Sequence, residues 1–278
     1  MPRRVQVTYR VWPTPEEMAA AAAEEFVAAV NKAADARGVA RVAISGGTTP
    51  QVTFAMLADR SKPYFARMPW EKLHLFWVDE RTVPPDDKDS NYGMTKKAML
   101  DHVPLPAAQV HRMEGELDPQ QAAERYEETL RREFGLDRNG SGLDQNGNPV
   151  FDFLQLGMGD DGHCASLFPH TEALHEVGKI VTANHVPQMN TWRITLTWPV
   201  INKAREVSFW IEKTSKAEIL HDVLQGKYDP ESKPSQLIRP ESGQLGFLLD
   251  AAAAAKLPRT VSDDEPEEEV YSGTLELE

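Results

Sequence analysis

Residues 41–58 read RVAISGGTTPQVTFAMLA. Arg41 to Ser45 is a short β-rich run that stops at the pair Gly46-Gly47. Gln51 to Ala58 then reads as a helix, with Pro50 near its first turn, where a missing N–H costs nothing. A strand feeding a helix through so tight a turn is half of a crossover unit, and the same alternation recurs along the chain. Upstream, a strand from Arg4 to Val11 precedes an Ala-rich helix that Thr14 caps and Gly38 stops. Downstream, Leu73 to Val78 is a third strand closing on Asp79-Glu80-Arg81, and Ser90 caps a helix from Asn91 to about Asp101. A helix from about Pro119 to Phe134 follows. Asn139 to Pro149, rich in Gly and Asn, reads as an exposed excursion before the strand Phe151 to Leu156. Lys179 to Ala183, Arg193 to Thr197 and Val207 to Glu212 read as further strands, Ser215 to Leu224 and Gly246 to Leu257 as further helices. The pattern predicts an α/β fold. Its open, mostly parallel, doubly wound (Rossmann-like) sheet would carry helices on both faces and a small peripheral β/α portion. Residues 1–258 are expected to form a single domain.

In such a sheet, ligands collect beyond the carboxyl ends of the strands. Four polar loops leave those ends: Ser45 to Pro50, Asp79 to Asn91, Gly157 to His163 and Lys213 to Lys216. They are expected to converge on one site.

Composition narrows the function classes. The 278 residues carry 43 acidic and 30 basic side chains, a net charge of −13, with no Lys/Arg block longer than a pair, so nucleic acid finds no clustered cations. Eight of the acids, against one base, lie in residues 259–278, read as an acidic tail too poor in apolar surface to order itself. A lone Cys164 excludes a disulfide framework or a multi-cysteine zinc site. Gln6, Thr8 and Arg10 interrupt the apolar start, and no run approaches the roughly 20 apolar residues of a membrane span. A cytoplasmic protein is expected, with neither nucleic acid nor membrane as partner.

Gly157, Gly159 and Gly162 spell G-x-G-x-x-G after a strand, but no Asp or Glu occurs from Val177 to Arg205 to bind a ribose, so a dinucleotide site is rejected. Ser45, Gly46, Gly47 and Thr48 between strand and helix suit an anion, since glycines admit backbone N–H groups and a helix N-terminus is electropositive. The loop is too short for a Walker motif and fits one phosphate monoester; a plain tight turn is the bland alternative. Asp161-Gly162-His163 sets a carboxylate two residues before an imidazole, which it could orient as a base; a capping acid beside a structural histidine is the alternative. Arg81, with Asp79 or Glu80 fixing its guanidinium, could bind phosphate or an oxyanion, or simply form a surface ion pair. Arg193, Lys213 and Lys216 are further anion-binding candidates, although one isolated cation is usually a solvated charge. Cys164, beside an apolar run, reads as buried and inert, and mid-helix His221-Asp222 lacks partners to complete a metal site.

Together, Ile44 to Pro50, Val78 to Pro84 with Ser90-Asn91, Leu156 to Pro169, Arg193 to Thr197 and the Lys216 region resemble the 6-phosphogluconolactonase family, a branch of the group that also holds glucosamine-6-phosphate deaminases. The resemblance spans about residues 10–257. It implies hydrolysis of 6-phospho-D-glucono-1,5-lactone to 6-phosphogluconate in the pentose phosphate pathway, without metal or organic cofactor, by a monomer or weak homo-oligomer. His163 falls on the histidine that activates water, supported by Asp161, and Arg81 on an active-site arginine. Ser45 to Thr48, Asp79, Glu80, Ser90, Asn91, Gly159, Arg193 and Lys216 fall on substrate- or phosphate-binding positions. Two departures stand out: Cys164 replaces a common threonine, and Glu212 to Ser215 lacks the glycine usual before the lysine. The deaminase branch typically shows Asp-Glu-Tyr and Ala-Phe-Asn-Glu-Pro where this chain has Asp79-Glu80-Arg81 and Ala165-Ser166-Leu167-Phe168-Pro169. A noncatalytic phosphosugar sensor would keep the anion loop but could dispense with His163.

Overall fold

The computed structural model describes residues 4–135, 142–145, 147–258 and 271–277. In chain order the elements are β1 (Val5–Trp12), α1 (Pro15–Arg37), β2 (Ala40–Ile44), α2 (Thr48–Ala58), α3 (Pro63–Arg67), β3 (Leu73–Trp77), β4 (Asp79–Arg81), α4 (Asn91–Ala98), β5 (Val110–His111), α5 (Pro119–Gly135), β6 (Phe153–Leu156), β7 (Val181–Val186), β8 (Thr191–Leu196), α6 (Trp198–Ile201), β9 (Glu206–Ile211), α7 (Ala217–Gln225), β10 (Gln244–Asp250) and β11 (Tyr271–Leu277). Eight strands form one sheet in the order β11-β1-β10-β9-β6-β2-β3-β5, parallel throughout except for β11. A small antiparallel sheet, β4-β8-β7, stands apart from it.

The strand order locates the crevice. From β2 the chain winds outward through β3 to β5, whereas from β6 it winds the other way through β9 to β10. The direction reverses between the neighbours β2 and β6, and the loops leaving those two strands flank the switch point.

Local chemistry sets the helices. Thr14 and Glu17 form a reciprocal capping box on α1, Pro15 opens it, and Gly38, at φ +76°, ends it in the left-handed region. Ser90 Oγ accepts from Gly93 N at 3.0 Å and starts α4. Alternate strand residues feed two cores. Val42, Ile44, Leu75, Trp77 and Phe153 meet Phe26, Val30 and Phe54 of α1 and α2, while Ala43, Phe76, Leu154 and Leu156 meet Tyr126 and Phe134 of α5, Leu220 of α7 and Ile194 and Leu196 of the small sheet. Each such large side chain removed from water contributes about 1.5–3 kcal/mol.

Three sequence expectations are corrected. Gly246 to Leu257 is not a helix. Its first half is β10, a strand lying between β1 and β9 and covered on both faces, so it reads as an unbroken apolar run that periodicity cannot separate from a buried helix. Asp79 to Arg81 is not the end of β3 but a strand of its own, paired with β8. The acidic tail is not uniformly without structure. Tyr271–Leu277 pairs antiparallel with β1, its apolar residues alternating with Ser272, Thr274 and Glu276, and Leu277 is buried. Residues 259–270 lie outside the described residues, as do 139–141 and 146 of the excursion, where Leu143 bridges Pro149. Among the described residues no helix is long and apolar enough to cross a membrane.

Candidate active site

The four polar loops meet around a cleft of about 330 Å³ at the switch point. Ser45, Gly46, Gly47 and Thr48 line it from the end of β2, Gly159 and His163 from the end of the neighbouring β6, and Asp79, Arg81, Asn91 and Lys216 complete the lining.

The anion wall is built from β2. Ser45 donates through its N and Oγ to Gln155 Oε1, at 2.9 and 3.0 Å, so a fully buried amide on β6 fixes the head of the turn. Gly46 is required by close approach, because a Cβ there would overlap the Asn91 amide. Gly47 sits at φ +115° as the N-cap of α2 and offers no side-chain acceptor, leaving the first N–H groups of the helix open at the cleft.

The second stretch of lining leaves β6. His163 Nδ1 lies 2.5 Å from Asp161 Oδ1, and the same oxygen accepts from His163 N at 3.2 Å. The ring stacks on Phe168 with centroids 4.0 Å apart. With Asp161 accepting at Nδ1, the proton is assigned there and Nε2 keeps its lone pair. Burial pushes the Asp161 carboxyl up, but the hydrogen bonds with His163 work against it, and the group lies below the ordinary carboxylate range. Gly159 lies under this pair, and any Cβ there would overlap the imidazole.

Behind the rim, Glu80 is buried and accepts from Arg81 N, Asn91 N and Tyr92 N at 2.7–2.8 Å and from Ser90 Oγ at 3.1 Å. Burial raises its pKa against those donors. Glu80 and Ser90 therefore organise the α4 entrance and do not line the cleft. Asp79 does line it, its carboxylate accepting from Ser166 Oγ at 2.6 Å and Asn91 Nδ2 at 3.3 Å. Asp161 likewise stays off the lining and bonds to the Nδ1 edge of His163. Arg193 does not reach the lining either. It sits opposite Arg81 across β4 and β8, buried, with Nη1 on Thr191 Oγ1 and Trp192 O, and burial together with the Arg81 charge lowers its pKa. Lys216 pairs with Asp160 at 2.6 Å, a bond that lowers the Asp160 pKa. Cys164 is buried, which pushes its thiol up to about 12.

Sequence reasoning missed Gln155, although one amide inside the apolar strand Phe153–Leu156 was the available signal. It also left Lys213 among several cations. The structure places that residue on the cleft, with Nζ 3.0 Å from Thr48 Oγ1. Away from the cleft, His74, His111 and Glu133 bring ligand-type atoms within 4.8 Å of one another. Yet His74 Nδ1 and His111 Nε2 face each other at 3.1 Å, with rings 16° from parallel and centroids 5.3 Å apart. Nitrogens aimed along one line share a proton; two ligands of one ion would both be turned toward it.

Comparison with known proteins identifies the family. The family model for glucosamine-6-phosphate isomerases/6-phosphogluconolactonase matches residues 13–247. The 6-phosphogluconolactonase of Synechocystis sp. is 39% identical over 229 residues, 82% of this chain and 89% of its own. That of Mycobacterium tuberculosis is 36% identical over 261 residues, covering 89% of this chain and 97% of its own. The solved 6-phosphogluconolactonase of Trypanosoma brucei superposes with a TM-score of 0.74 at 27% identity, over 91% of this chain and 100% of that one. A family model matched over most of the chain, with relatives 36–39% identical over more than four fifths of it, shows that the chain belongs to the glucosamine-6-phosphate isomerase/6-phosphogluconolactonase family.

Proposed function

We propose that this protein is a 6-phosphogluconolactonase, which hydrolyses 6-phospho-D-glucono-1,5-lactone to 6-phosphogluconate. The observation that carries the reading is that His163, with Nδ1 held by Asp161, and the open N-terminus of α2 line one cleft. The phosphate lies in the Ser45 to Thr48 turn against the α2 dipole, with Arg81 and Lys216 as nearby cations. So anchored, the lactone carbonyl is presented to His163, and remote binding serves the rate by positioning the reacting carbon.

His163 Nε2 takes a proton as water adds to the carbonyl carbon, giving a tetrahedral oxyanion and an imidazolium that Asp161 stabilises. The oxyanion collapses, the ring C–O bond breaks, and the imidazolium returns a proton to the departing oxygen, which becomes the sugar hydroxyl. The acid product loses a proton to water at neutral pH. These steps ask for neither metal nor organic cofactor. Arg81, on the rim, is suited to the phosphate or to the oxyanion. Glu80, whose carboxylate is occupied by four donors, is not offered as a base. The protein works in the cytoplasm as a monomer or weak homo-oligomer, on a small-molecule substrate.

The test is turnover of freshly prepared lactone, corrected for spontaneous hydrolysis, beside glucosamine 6-phosphate. Lactone turnover that His163→Ala abolishes supports the reading. Deamination of the amino sugar in its place would overturn it.

A further inference from the structure

Lys213 adopts φ +86°, ψ 144°, a conformation that glycine reaches freely and side-chain-bearing residues rarely adopt. The surroundings hold it there. Its backbone N donates to both carboxylate oxygens of buried Asp250, at 3.2 and 3.1 Å, and its carbonyl accepts from Lys216 N at 3.0 Å. From this position Nζ crosses from the end of β9 to the anion turn and donates to Thr48 Oγ1 at 3.0 Å, with Glu212 Oε1 at 3.4 Å. Thr48 is the first residue of α2, directly after the uncapped Gly47. The second lysine of the same loop, Lys216, pairs with Asp160 at 2.6 Å. The backbone geometry thus favours glycine, yet the residue present places an ammonium on the anion turn of the cleft that His163 also lines.

We propose that Lys213 is a specificity-determining residue that grips the phosphoryl group of the substrate together with the α2 N-terminus and sets the preference for phosphorylated over unphosphorylated lactones. This rests on the lactonase reading and extends it. When the phosphate enters, the ammonium turns from the Thr48 hydroxyl to a phosphate oxygen a short distance away, a charge-assisted bond replacing a neutral acceptor.

Lys213→Gly separates the backbone from the ammonium. Relief of the unfavourable φ is expected to raise Tm by about 2–4 °C. Loss of the ammonium is expected to raise KM for the phosphorylated lactone about tenfold, and to weaken inhibition by inorganic phosphate by a similar factor, with kcat changed less than about twofold. Lys213→Met should show the same KM effect without the gain in Tm, and Lys213→Arg should restore most of the binding. A merely structural lysine would not give this split between KM and kcat, nor rescue by arginine. Unchanged KM and unchanged phosphate inhibition in both Lys213→Gly and Lys213→Met would overturn the proposal. If the wild-type protein fails to turn over the lactone, the functional reading fails by itself. The thermal shift that inorganic phosphate gives the wild-type protein, compared with Lys213→Met, then still decides whether Lys213 holds phosphate: loss of the shift supports it and retention overturns it.

Discussion

Gly159→Ala tests whether the imidazole is held where the chemistry needs it. A methyl group built at Gly159 lies 2.6 Å from Asp161 Oδ1 and closer still to Nδ1 and Cε1 of His163. Carbon contacts settle near 3.5–4.0 Å, so the ring and its carboxylate must retreat by on the order of 1 Å. The ring cannot simply swing aside, being tied to Asp161 at 2.5 Å and pressed on Phe168 at 4.0 Å between centroids. A misplacement of that size at a reacting group costs roughly 100-fold in rate. The backbone at Gly159 is not in the left-handed region, so the fold itself tolerates alanine. The expected result is a fall in kcat/KM of about two decades with Tm within about 3 °C of wild type. The assay is a continuous measurement of lactone loss corrected for the uncatalysed reaction, run with a thermal melt. Adding His163→Ala to Gly159→Ala should cost much less than it does alone, because both remove one function. Wild-type kcat/KM in Gly159→Ala would refute the argument that this glycine makes room for a fixed imidazole.

Asp161→Asn should lower kcat about 100-fold or more while leaving the binding of 6-phosphogluconate, read by calorimetry, within about threefold, since it removes the carboxylate that fixes the imidazole and not the phosphate grip. The His74–His111 pair predicts acid sensitivity. Burial lowers both histidines and, with the charge on His74 opposing a second proton, His111 falls to about 4, below the unfolded value of 6.5. The unfolded chain therefore binds protons first, so the stability is fully present above pH 6.5 and lost as pH falls toward 4, by up to about 3 kcal/mol. Urea midpoints of His111→Gln should show a flatter slope across that window, and an identical slope would sink the assignment. Deleting residues 259–278 removes β11, uncovers β1 as a sheet edge and takes away buried Leu277, worth about 1.5–3 kcal/mol. Tm should fall by several degrees with KM unchanged, and an unaltered melt would show that β11 adds nothing.

Much of the cleft was legible because strand ends in a parallel sheet announce themselves. Ser45 to Thr48 and Gly157 to His163 each follow an apolar run at once, and the pairing of β2 with β6 brings them side by side. The roles behind the lining were harder to read. The resemblance puts Glu80 and Ser90 on substrate-binding positions; Ser90 caps α4, as its place before Asn91 already indicates, whereas the hold of Glu80 on the α4 entrance shows only where the chain turns back onto β4. Arg193 shows only as a cation in a strand, and its burial opposite Arg81 depends on a register between β4 and β8 that no local pattern encodes. β10 hid as a helix because burial on both faces erases alternation. β11 hid behind the acids that precede it, although its own alternation was present.

The adjacency of β2 and β6 has a consequence for how such proteins change. Neighbouring strands are locked about 4.8 Å apart by their ladder, so the spacing between the two walls belongs to the scaffold and neither loop can alter it alone. In the proposed reaction, one loop holds the tail of the sugar and the other acts on its head. A lineage can therefore rewrite the segment after Leu156 and acquire a different reaction on the same class of phosphorylated sugar, without relearning how to grasp it.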